Sequence, residues 1–161
     1  VDKLDRTDKR ILSELQKNGN ISNLELADRI GLSASPCLRR VKSLEAAGII
    51  GKKVTLLNEQ ELGLTLTALI SVSMDKHTPE RFNAFESTIA KYSEVQECLL
   101  ITGSSADYQL KVVVKDMAAY QTFLLGKLTT IDGVTGVHSS FVMKKVINTT
   151  ALPLEHIGEK N

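Results

Sequence analysis

Cysteine is scarce: the 161 residues hold two, Cys37 and Cys98. They lie far apart and each falls within an apolar pattern. The sequence therefore carries no disulfide framework and reads as two buried free thiols, compatible with a reducing compartment. No apolar run approaches the roughly 20 residues that a membrane-spanning helix requires, and the N-terminus lacks the apolar stretch of a signal peptide, so no membrane partner is expected. The three histidines, His77, His138 and His156, are too scattered to suggest a metal site. Cys98 has no obvious local base, and Ser104 and Ser105 have no histidine near them in sequence. Nothing here supports a nucleophile–base pair or a metal constellation, so the expectation is no enzyme, no catalytic residue and no metal.

Excess charge is also small, at +1 overall, but it is unevenly spread. Residues 1–57 hold 11 Lys+Arg against 7 Asp+Glu, a net +4, and residues 58–161 hold 9 against 12, a net −3. A basic first segment and an acidic remainder suggest that only the first meets a polyanion.

Within that basic segment, residues 21–44 read as two short helices joined by a tight turn. Ser22 is placed to cap the first, with Glu25 three residues on completing a capping box and Ile21 and Leu26 forming a hydrophobic staple. Leu24, Ala27 and Ile30 supply an apolar stripe, and Gly31 stops the helix. Ser33 or Ser35 begins the next. With Val41 at the centre of its buried face, Ala34, Cys37, Leu38 and Leu44 turn inward. Ser35, Pro36, Arg39 and Ser43 turn outward, flanked by Arg40 and Lys42. A helix with small residues at its start and cations further along fits a major groove. Taken alone it is equally an ordinary amphipathic helix with a solvated basic face; the capped helix and turn before it favour a helix-turn-helix. A helix over residues 5–18, with Ile11, Leu12 and Leu15 inward, completes a three-helix core. Residues 49–57 alternate loosely around Gly51 and read as a hairpin wing, on which Lys52 and Lys53 are placed for phosphates or, equally, are exposed solubilising lysines.

Residues 58–63 are polar and short, a linker. Beyond them the apolar period changes from 3.6 to 2: Leu64, Leu66, Ala68, Ile70, Val72 and Met74 share one face of a strand. Thr78 and Pro79 open a helix with Phe82, Phe85, Ile89 and Tyr92 inward. Strands follow over 95–102 and 108–114, then a helix capped by Asp116 with Tyr120, Phe123, Leu124 and Leu128 inward, then a strand over 134–147. The expected fold is α+β: a winged helix-turn-helix domain over 1–57, the linker, and a ferredoxin-like βαββαβ sandwich over 64–148, followed by a tail over 149–161. The sandwich leaves one sheet face uncovered and partly apolar, which points to a dimer held by this domain.

This order resembles the leucine-responsive regulator/AsnC family, also called feast/famine regulators. The resemblance is carried above all by residues 4–50, including Ser35-Pro36-Cys37-Leu38, and by residues 97–117. It implies a transcription regulator of amino-acid metabolism genes in the bacterial cytoplasm, associated with the nucleoid. It also implies a homodimer assembling to an octamer and double-stranded DNA partners that are A·T-rich imperfect palindromes. The DNA-binding residues would be Ser33, Ser35, Pro36, Arg39, Arg40, Lys42, Ser43, Lys52 and Lys53. The implied effector is a free amino acid, leucine or methionine, held by a Gly…Asp-Tyr turn that Gly103, Asp107 and Tyr108 match. Between them Ser104-Ser105-Ala106 departs from the commonest form, which has a second acidic residue after the glycine and is one residue shorter. Such a turn has a chemical logic of its own: backbone amides and serine hydroxyls hold a carboxylate, and Asp107 faces an ammonium group. On spacing alone, a plain hairpin with glycine at positive φ is the favoured reading, and the resemblance reverses that. The expected effector residues are Thr102, Gly103, Ser104, Ser105, Ala106, Asp107 and Tyr108, with a second wall from Val134, Thr135, Gly136, Val137 and His138 of a neighbouring copy.

Overall fold

A computed structural model describes residues 4–103 and 105–157. The chain divides into two compact units. One comprises the described residues up to Thr55 together with those from Ile147 onward, and the other runs from Leu56 to Val146.

The first unit is built on three helices: α1 (Arg6–Lys17), α2 (Asn23–Ile30) and α3 (Ala34–Ala46). Ser22 caps α2 by accepting from the Glu25 amide, and Gly31 ends it in the left-handed region at φ 71°. The reciprocal half of the box expected at Ser22 is replaced by another contact, because the Glu25 carboxylate pairs with Arg29 at 2.6 Å. A complete capping box forms instead at Asp5 and Asp8, at the start of α1. Ile11, Leu26, Ala27, Ile30, Cys37 and Leu44 form the buried centre. Two residues assigned inward are not: Leu24 is 73% exposed and Leu38 is 43% exposed. Leu24 lies in the first turn of α2, and Leu38 stands one residue beyond Cys37, at the margin of the buried stripe.

The residues after Ile147 complete this unit. Gln16 clasps the Leu152 backbone in both directions, its amide donating to the carbonyl at 3.1 Å and its oxygen accepting from the N–H at 2.6 Å. Lys9 Nζ donates to the Glu155 carbonyl at 3.1 Å. Ile157 is only 5% exposed within the three-helix core, with Leu154 packed beside it. Ile157→Ala is expected to destabilise this unit by about 2 kcal/mol, the low end for a deleted core aliphatic. Urea unfolding of the full chain, followed by helical circular dichroism, measures the loss.

Residues 49–57, expected as a hairpin, form neither helix nor strand. Val54, Leu56 and Leu57 are each at least 70% exposed. A two-stranded ribbon needs a layer beneath it, and among the described residues nothing buries Val54 in the first unit or Leu56 and Leu57 in the second.

The second unit is a four-stranded antiparallel sheet of β1 (Leu66–Met74), β2 (Val95–Leu100), β3 (Tyr108–Val114) and β4 (Val134–Phe141), in the order β2-β3-β1-β4. Its helices are α4 (Pro79–Ile89) and α5 (Met117–Gly126), with a short 3-10 turn at Leu128–Thr130. The period-2 pattern places Ala68, Ile70, Val72 and Met74 in one core with Leu110, Val112, Phe85, Ile89, Phe123 and Leu128. Thr78 and Asp116 cap α4 and α5 as the sequence suggests. β4 ends at Phe141, six residues short of the expected 147: Phe141 pairs with Ala68, the Val142 N–H still donates to the Thr67 carbonyl at 2.9 Å, and β1, which begins at Leu66, has no residue left to pair with 144–147. β2 likewise ends at Leu100, and β1 starts at Leu66. Beyond β4, Met143, Val146 and Ile147 are more than 80% exposed.

Candidate functional site

On α3, Cys37, Val41 and Leu44 are buried, and Ser35, Arg39, Lys42 and Ser43 are exposed. Asn23 Nδ2 donates to the Ala34 carbonyl at 2.8 Å, tying the start of α2 to the start of α3. Ser33 occupies the N-cap position but makes no side-chain cap bond, and Pro36 is half-buried in the first turn. The two arginines part company. The Arg40 guanidinium turns toward α1, where Nη1 meets Asp5 Oδ2 at 2.8 Å and Asp8 Oδ1 at 2.9 Å. These hydrogen bonds raise the Arg40 pKa, and the Asp8 amide with the Arg40 side chain holds Asp5 below its ordinary value against the opposing effect of burial. Arg29 is similarly engaged by Glu14 and Glu25. Among the described residues Arg39, Lys42, Lys52 and Lys53 have no ion pair. The unit thus presents Arg39 and Lys42 on the exposed side of α3 and holds Arg40 as a brace between helices.

The second candidate lies in the sheet unit, at the connection between β2 and β3. Gly103 takes φ 79°, a conformation that side chains with a Cβ rarely adopt. Asp107 is the anchor of the turn. Its Oδ2 accepts from the Met74 N–H at 2.7 Å, and its Oδ1 stands 2.8 Å from Nε2 of His77. Its own backbone bonds to Val72 and Ile101. Ser73 Oγ donates to the Ser105 carbonyl, and Thr135 Oγ1 donates to the Ser73 carbonyl, both at 3.2 Å. The turn, the end of β1 and the start of β4 therefore meet through Ser73 within a single chain.

The predicted residues divide by exposure. Thr102, Gly103, Ser105, Thr135 and His138 are exposed; Asp107, Val134, Gly136 and Val137 are half-buried; Ala106 and Tyr108 are buried. Ser104 lies outside the described residues. Tyr108 is a core residue: its ring packs 4.6 Å from Phe85 and 5.5 Å from Phe82, and its hydroxyl donates to Glu86 at 2.7 Å. Burial, with the Glu86 carboxylate, pushes that hydroxyl well above its ordinary pKa. A cleft of about 470 Å³ between α4 and β2 is lined by Glu86, Cys98, Leu100 and Tyr108 among others. Burial pushes the Cys98 thiol up to about 11, away from the thiolate a nucleophile needs.

Two groups escaped sequence reasoning. His77, one of three histidines scattered in sequence, faces Asp107. Arg81 bridges Asp75 at 3.0 Å and Asp132 at 2.6 Å, steadying the same end of the sheet. Gly133 was a hidden signal for it: at φ 91°, a Cβ there would sit 2.6 Å from Arg81 Cδ.

Both units match known families. The winged helix-turn-helix DNA-binding family matches residues 4–50, stopping before Gly51, and the Lrp/AsnC ligand binding domain matches residues 67–152. The chain belongs to the Lrp/AsnC family. Among its Lrp/AsnC relatives, the transcriptional regulator AzlB of Bacillus subtilis is 42% identical over 154 residues, covering 96% of this chain and 98% of AzlB. The leucine-responsive regulatory protein of Escherichia coli K12 is 40% identical over 152 residues, covering 94% of this chain and 92% of its own length. A transcriptional regulator of Neisseria meningitidis, solved as its complex with L-Met, superposes with a TM-score of 0.92 at 43% identity, covering 96% of this chain and 99% of the other. This Lrp/AsnC protein is accordingly an amino-acid-responsive, DNA-binding transcription regulator with a winged helix-turn-helix and an α+β ligand-binding domain, and not an enzyme.

Proposed function

We propose that this regulator reads an A·T-rich, imperfectly palindromic duplex with α3 and answers to leucine or methionine, controlling amino-acid metabolism genes as a homodimer assembled to an octamer in the bacterial cytoplasm, on the nucleoid. The observation that carries the DNA reading is the exposed pair Arg39 and Lys42, unengaged beside a tied-down Arg40. Ser33, Ser35, Pro36 and Ser43 allow close approach of the backbone, and Lys52 and Lys53 supply phosphate contacts. Arg40 contributes by orienting α3.

For the effector, the described part of the turn offers backbone amides and the Ser105 hydroxyl to a carboxylate and Asp107 to an ammonium. The two oxygens of Asp107 differ in a useful way. Oδ2 is committed to the Met74 amide, whereas Oδ1 faces the imidazole of His77, a side chain 68% exposed and free to yield its place to a cation. Thr135 and Gly136 stand beside the turn through Ser73, and Val134, Val137 and His138 extend that wall along β4. The choice of leucine or methionine is supported by the L-Met complex of the Neisseria relative and by the leucine-responsive relatives. Association is supported by the apolar side chains left exposed at Val54, Leu56, Leu57, Met143 and Val146, and by Leu69 and Leu99 on the sheet.

Light scattering of the full chain across a panel of free amino acids, paired with anisotropy on a duplex selected by the protein from a random pool, tests the whole reading. Leucine or methionine is expected to change both the mass and the DNA affinity. A selected duplex whose affinity no amino acid alters would overturn the effector assignment.

A further inference from the structure

The exposed sector of α3 holds one large apolar side chain. Leu38 lies between Ser35, one turn before it, and Lys42, one turn after, with Arg39 adjacent, and is 43% exposed. A single exposed leucine on a surface needs no explanation. This one stands on the helix that the DNA-binding family match spans, among residues that leave a duplex as their fitting partner. Arg39 and Lys42 carry uncompensated charge toward it, while the opposite flank is closed off by Arg40 and the two α1 carboxylates. In a major groove an aliphatic side chain has one base-specific partner, the C5 methyl of thymine, which distinguishes A·T from G·C and fixes the strand on which the thymine lies.

We propose that Leu38 is a base-reading residue that packs on a thymine methyl and contributes specificity for A·T pairs. The inference rests on the reading of α3 as the DNA-contacting helix and adds to it a residue that helical periodicity had assigned to the core. Burying one methyl-sized group corresponds to about a four-fold change in affinity.

The test uses the full chain and a duplex it recovers from a random pool, with thymines replaced one at a time by deoxyuridine, which lacks only the methyl. Kd is read by anisotropy at one fixed salt concentration. The wild-type protein is expected to lose about four-fold at a particular thymine. Leu38→Ala should bind the unmodified duplex more weakly and be indifferent to deoxyuridine at that thymine, while Leu38→Met keeps the wild-type penalty. An equal deoxyuridine penalty in wild type and Leu38→Ala would show that DNA shape is being read, and overturns the proposal. So does the absence of a penalty at every position. Recovery of no duplex at all would instead remove the DNA reading on which the proposal stands.

Discussion

Arg39→Ala is expected to weaken binding to a selected duplex by about 1–3 kcal/mol, roughly five- to 150-fold, with little change in the unfolding midpoint. The side chain is exposed on α3 and has no ion pair among the described residues, so its removal leaves no buried partner unsatisfied. Arg40→Ala is expected to behave in the opposite sense. Its guanidinium holds Asp5 and Asp8, the pair that caps α1, so its loss is felt first in stability, by about 0.2–1 kcal/mol for a part-exposed pair. Anisotropy across a salt series, for each variant and for the double variant, separates the two. If Arg39 reads a base, the loss is concentrated on the selected sequence and specificity relaxes there. If it holds only a phosphate, selected and random duplexes weaken together and the salt slope falls by about one. Unchanged affinity in the double variant at every salt concentration would remove α3 from the interface.

Asp107→Asn carries the second large effect. Asparagine keeps an oxygen for the Met74 N–H, so the turn is expected to hold and the thermal midpoint to stay near that of the wild type. What disappears is the negative charge at Oδ1. A charge-assisted contact to an ammonium group contributes about 1.5–3 kcal/mol, so calorimetric affinity for the amino-acid effector should fall by roughly ten-fold or more while DNA binding without effector is preserved. Asp107→Ala removes both oxygens and leaves a part-buried amide without its acceptor, adding about 1–3 kcal/mol of destabilisation. The pair of variants thus distinguishes a ligand contact from a brace: retained effector affinity in Asp107→Asn, with lost stability in Asp107→Ala, would leave Asp107 with the structural role alone.

Much of this architecture was legible because it is written in local chemistry. Ser22, Gly31, Thr78 and Asp116 mark helix boundaries through bonds spanning three or four residues, and the alternation from Leu66 to Met74 follows from one buried sheet face. Readings failed where the outcome depends on distant chain. The alternating apolar residues near Val54 suggest a ribbon, but among the described residues no surface is supplied for them to pack on. Leu38 lies within the angular width of the buried stripe, and only its neighbours decide that it stays outside. At the effector turn, glycine and aspartate were recognisable, whereas the division of labour between the two Asp107 oxygens depends on Met74 and His77, some thirty residues away in sequence. Gln16 and Lys9 look like plain solvated helix positions until the chain returns to cover them.

That return has a practical corollary for dissecting the protein. A gene fragment truncated at Thr55 encodes three helices but omits the isoleucine that plugs them, so its DNA-binding behaviour would be that of a bundle with a hole. A faithful minimal reader has to be spliced from both segments of this unit, with the intervening ninety-odd residues replaced by a short bridge.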